Sequence, residues 1–93
     1  MPARIRENIR VAVIHGPGRG LRPVWFDWKS RKHTVTAVAY HWQQKSGEKL
    51  LLHYAVSAGD ALYELVYSVT DQLWMLESID AESPSPGLWP PLL

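Results

Sequence analysis

Six strand-length segments rich in β-branched and aromatic residues, separated by five short turn signals, restrict this chain to a β fold. They are Arg6–Ile14, Leu21–Trp28, Lys32–Gln43, Lys49–Ser57, Ala61–Val69 and Gln72–Ile79. The breakers between them are His15-Gly16-Pro17-Gly18-Arg19-Gly20, Lys29-Ser30-Arg31, Ser46-Gly47-Glu48, Ala58-Gly59-Asp60 and Thr70-Asp71. Leu50, Leu52, Tyr54 and Val56 alternate onto one face of the fourth segment, and Tyr63, Leu65, Tyr67 and Val69 onto one face of the fifth. Leu62, Leu65, Val66, Val69 and Leu73 also fit a helical stripe, but the Tyr/Val content and Thr70-Asp71 favour a hairpin. The expected fold is all-β: five or six antiparallel strands in a meander or partly open small barrel. It occupies residues 1–80, and a Pro-rich apolar tail follows over 81–93.

With 93 residues, 46% of them hydrophobic, the chain holds one modest core and not two. It has no Cys, which excludes disulfides, thiolate metal sites and cysteine nucleophiles. Apolar runs are of strand length, as in Val35 to Tyr40, so neither a signal peptide nor a membrane span is expected and the expected location is cytoplasmic.

The net charge is only +1, yet residues 1–33 hold eight of the ten Lys/Arg against Glu7 and Asp27. Residues 34–93 hold Lys45 and Lys49 against seven acids. Two arrangements produce this asymmetry: ion pairs between early and late strands, or a basic face built by the early strands and the Lys29–Lys32 turn.

Little in the chain points to catalysis. The glycine run at 16–20 is followed by Leu21-Arg22-Pro23-Val24-Trp25, a strand with a proline in it, whereas a phosphate loop needs a helix there. It reads as a hairpin loop. No pair of the four histidines has metal-ligand spacing. His41 and His53 would sit opposite each other across a three-residue turn centred on Gly47, with a carboxylate such as Glu64 as a third ligand; across a two-residue turn they face apart. No serine lies in a nucleophile elbow. The expectation is a binding module, not an enzyme, with no metal and no cofactor.

Two surfaces are candidates for binding. On Arg22–His33, aromatics alternate with cations, and single-stranded nucleic-acid sites combine these elements: cations for phosphates, ring faces for bases. The expected nucleic-acid site is Arg22, Trp25, Trp28, Lys29, Arg31 and Lys32, while Trp42 and Trp74 are expected in the core. In the tail, the acidic step of Asp80 and Glu82, a Pro-rich spacer and Leu88-Trp89-Pro90-Pro91-Leu92-Leu93 read as a docking motif, with Leu88, Trp89, Leu92 and Leu93 as partner contacts. A protein-interaction adaptor acting through a sheet edge or this tail is the alternative reading; a monomer and a homodimer are both compatible with it.

The segment Trp25-Phe26-Asp27-Trp28-Lys29-Ser30-Arg31-Lys32-His33-Thr34-Val35, then Val38 and Trp42, is followed by Leu62-Tyr63-Glu64-Leu65 and Trp74-Met75-Leu76-Glu77. Over about residues 24–80 this resembles a small bacterial domain family without an assigned activity. Its actinobacterial members tend to be encoded beside accessory proteins of translesion DNA synthesis. The chain departs from the pattern at His33, where the family has an aromatic, and at Ser30, where it has glycine. The resemblance implies a DNA-repair setting, and with it a repair-protein partner.

Overall fold

The computed structural model describes residues 3–18 and 20–80. One antiparallel sheet holds β1 (Ala3–Gly16), β2 (Gly20–Trp28), β3 (Arg31–Thr34), β4 (Ala37–Ser46), β5 (Lys49–Ala58), β6 (Ala61–Ser68) and β7 (Leu73–Asp80). The order across it is β3-β2-β1-β7-β6-β5-β4. Each expected segment forms a strand. The count is seven rather than five or six because Lys32–Gln43, read as one strand, breaks at Val35–Thr36 into β3 and β4. The stretch that also fits a helical stripe, Asp60–Glu77, lies in the β6–β7 hairpin and is not a helix. The tail residues, including Leu88, Trp89, Leu92 and Leu93, lie outside the described residues.

The break at Val35–Thr36 explains the curl. β3 and β4 stand at opposite ends of the strand order yet are joined by two residues. The sheet must therefore curl far enough for two residues to span from β3 to the start of β4. Val35 donates its N–H to Val24 O on β2 (2.9 Å), and Thr36 donates its own to Ser57 O on β5 (2.8 Å). Inside the sheet β1 serves two partners in turn, β7 along Ala3–Ile9 and β2 along Arg10–Gly16. The result is a half-barrel.

Its concave face holds the core. Phe26, Val56, Leu65 and Leu76 are fully buried, joined by Tyr54, Ala58 and Tyr63. Ile9, Val11, Trp28, Val38, Leu52 and Trp74 pack around them. The alternation read in β5 holds for Leu52, Tyr54 and Val56, and in β6 for Tyr63 and Leu65; Val69 has already left the strand for the turn. The glycine run spans the β1–β2 loop between paired Gly16 and Gly20, as a hairpin loop should.

Bulges redirect side chains. Val38 lies opposite Val56 in the core, but an extra residue, Ala39, places Tyr40 opposite Ala55 on the convex face. Trp42 follows it outward. A paired irregularity lies at Arg4–Glu7 of β1, where Arg6 takes φ 58°, and its β7 counterpart is at Glu77.

Candidate functional site

The β2–β3 hairpin positions the sequence-predicted basic–aromatic residues. Its register is Trp25↔Thr34, Phe26↔His33, Asp27↔Lys32 and Trp28↔Arg31. Phe26 belongs to the core, so Trp28 shares the concave side, and Trp25, Asp27 and Lys32 alternate onto the convex side. The two tryptophans thus fall on opposite faces.

Trp28 packs inward, edge-on to Tyr63 (6.3 Å) and tilted against His33 (5.9 Å). Its indole Nε1 is buried without a hydrogen-bond partner among the described residues. His33 stacks on Phe26 at 5.1 Å, and its Nδ1 lies 3.5 Å from the Tyr63 hydroxyl. Burial pushes the Tyr63 phenol above its ordinary range, and the nearby Arg31 charge offsets part of that rise.

Trp25 is half-buried, and cations cover its ring: Lys32 Nζ stands 5.0 Å from the centroid and the Arg10 guanidinium 5.8 Å. Arg10, opposite Asp27 on β1, also donates from Nε to the Asp27 carboxylate at 2.8 Å. It is a member of this surface that sequence reading missed, because no local pattern ties residue 10 to residue 27. Arg22 is exposed on the same convex side, opposite Ile14.

The hairpin tip is unusual. Lys29 and Ser30 both hold positive φ, 54° and 61°, in a two-residue loop between paired Trp28 and Arg31. That is the type I′ geometry, which favours Asn-Gly and penalises side chains. Lys29 Nζ rests 5.0 Å over the Trp28 ring.

The two explanations of the charge asymmetry divide between regions. Arg4 and Arg6 reach from the early part to Glu77 of the late part (3.7 and 3.8 Å), whereas Arg10 meets Asp27 and Lys49 meets Asp71 (2.9 Å) within their own parts. The Lys49 hydrogen bond holds the Asp71 carboxyl below its usual range. Arg22, Lys29, Arg31 and Lys32 meet no carboxylate among the described residues.

A second concave site lies on the convex side of the sheet, a groove of about 670 Å³ over β4–β7 and the start of β1. Leu51, Val66, Leu73 and Met75 give it apolar lining. His53 is buried there, its Nδ1 2.9 Å from the Glu64 carboxylate, and Trp42 stacks on its imidazole at 4.8 Å. His53 Nε2 is buried and unpartnered among the described residues. Arg4, Arg6 and Lys49 on the groove are balanced by Glu64, Asp71 and Glu77, so it holds no excess charge for a polyanion.

Trp42, expected in the core, is 40% exposed and Tyr40 53% exposed, with their rings 5.4 Å apart. The Ala39 bulge turned both outward, and nothing in the sequence marks it. The β4–β5 turn has two residues, Gly47 and Glu48, between paired Ser46 and Lys49. His41 therefore lies opposite Tyr54 and His53 opposite Trp42, on different faces, so the two cannot share a metal. Among the described residues no group of three or more His, Asp or Glu is placed to hold one. No helix among them is long and apolar enough to cross a membrane.

No family model, curated protein or solved structure matches the chain.

Proposed function

We propose that this protein is a non-enzymatic binding module whose β2–β3 hairpin takes single-stranded nucleic acid. The observation carrying this reading is the distribution of cations. Those on β1 and β5 are tied to carboxylates, whereas Arg22, Lys29, Arg31 and Lys32 are exposed and have none among the described residues. Lys32 and Arg22 stand on the convex side with Trp25, and Lys29 and Arg31 stand at the hairpin tip beside Trp28; such a row of unpaired cations suits a sugar–phosphate chain, whose binding is driven by counterion release. Trp25 can offer its ring to a base when Lys32 moves from the ring to a phosphate, and such a stack contributes about 1–3 kcal/mol. Trp28 braces the hairpin from inside and is not a stacking platform. The resemblance supports a DNA-repair setting for the same activity.

The test is a titration with a labelled single-stranded oligonucleotide at two salt concentrations, read by anisotropy and tryptophan fluorescence. Four phosphate contacts predict a log–log salt slope of roughly −3. The Lys29→Ala/Arg31→Ala/Lys32→Ala variant should lose the salt-sensitive binding. Absence of binding at low salt, or an unaffected variant, would sink the proposal.

A further inference from the structure

β4 is hydrogen-bonded on one side only. Apart from the bulged Ala39, Ala37–Ser46 pairs with β5 and with no other strand among the described residues. The two-residue loop makes Ser46 and Lys49 a mutually hydrogen-bonded pair, and pairing alternates from there. Trp42 and Gln44 thus turn their N–H and C=O toward β5, while His41, Gln43 and Lys45 turn theirs outward. Leu50, opposite Lys45, fixes the phase. Its own backbone groups point away from β4, the N–H toward Thr70 Oγ1 (3.5 Å) and the C=O accepting from Val69 N–H (3.0 Å).

Exposed edges are normally guarded by proline, several charges or a covering element. β4 has no proline and one lysine, and its bulge disturbs only the end near Ala39. Every residue from Ala39 to Ser46 is exposed, and Tyr40 and Trp42 stand along the edge on the convex side.

We infer that β4 pairs antiparallel with β4 of a second copy of this chain, about a two-fold axis near His41–Gln43. The edge is self-complementary in this arrangement. The two copies of Lys45 fall at opposite ends of the ladder, and Tyr40 and Trp42 of both copies gather on one face as cross-strand aromatic neighbours. The chain's own residues 81–93 are a poor occupant of the edge, since Pro84, Pro86, Pro90 and Pro91 supply no N–H. A short ladder with four partly exposed rings buries on the order of 1,000 Å², the low end for a specific complex, so the dimer is reversible.

Sedimentation equilibrium on the full chain, from low to high micromolar concentration, tests this. Gln43→Pro removes an outward N–H and leaves the β4–β5 ladder intact; Tyr40→Lys removes a ring and adds an edge charge. Each should raise the dimer dissociation constant by at least about tenfold with unchanged circular dichroism. If the proline variant unfolds, Tyr40→Lys decides the matter. A wild-type chain that stays monomeric throughout, or a dimer indifferent to the folded variants, overturns the inference.

Discussion

Replacing Ser30 by glycine should stabilise this protein, and the reason lies in the hairpin tip. Lys29 and Ser30 sit at φ 54° and 61°, where a Cβ crowds the following carbonyl at a cost of about 1–2 kcal/mol per residue. Ser30 is exposed, so losing its hydroxymethyl group forfeits no packing. Glycine removes the crowding but has more freedom to lose on folding, about 0.5–1 kcal/mol. The net gain is about 0.5–1 kcal/mol, or a rise in Tm of about 2–8 °C for a domain of this size. Thermal melts of wild type, Ser30→Gly and Ser30→Ala separate the causes, because alanine keeps the φ penalty and should gain nothing. If glycine and alanine behave alike, the turn does not hold Ser30 in the left-handed region and the strain argument fails. A gain in stability with a loss of oligonucleotide affinity would mark the strain as functional.

Two further outcomes follow from the core. Leu65→Ala, at a fully buried β6 position, should cost about 2–5 kcal/mol in urea titrations, whereas Leu73→Ala at the exposed start of β7 should stay within about 0.5 kcal/mol; similar costs would refute the assigned faces. Burial raises the Tyr54 and Tyr63 pKa values, so the folded state holds these phenolic protons more tightly than the unfolded state. Their stabilising share is present below pH ~10 and is lost as pH rises through the folded-state values. Tyr54→Phe should therefore flatten the alkaline limb of a Tm-versus-pH curve, and an unchanged limb would contradict this.

The strands were legible in the sequence because alternation is a local signal, and it selects the core residues Leu52, Tyr54 and Val56 of β5 and Tyr63 and Leu65 of β6. Their joining was less so. Val35-Thr36 is a β-branched pair that looks like a strand interior, yet it is where the chain passes from β2 to β5 and closes the curl. The Ala39 bulge left no trace in composition, so Trp42 was assigned to the wrong face. Of the candidate site, the basic turn was visible as a run of cations. The opposite parity of Trp25 and Trp28 was also countable, and it separates Arg22, Trp25 and Lys32 on the convex side from Trp28, with Lys29 and Arg31 beside it. The coverage of Trp25 by Arg10 needed the β1–β2 register, which is long-range. The divergence of His41 and His53 turned on one residue of loop length.

The most direct test of the hairpin as a binding surface is an NMR map of amide and indole shifts in the 15N-labelled protein during titration with a single-stranded oligonucleotide. The account predicts shifts concentrated on Arg22, the Trp25 indole and Lys29–Lys32, with Tyr40, Trp42 and the His53 groove unmoved. Shifts centred on Tyr40, Trp42 and the groove, or none anywhere at low salt, would contradict it.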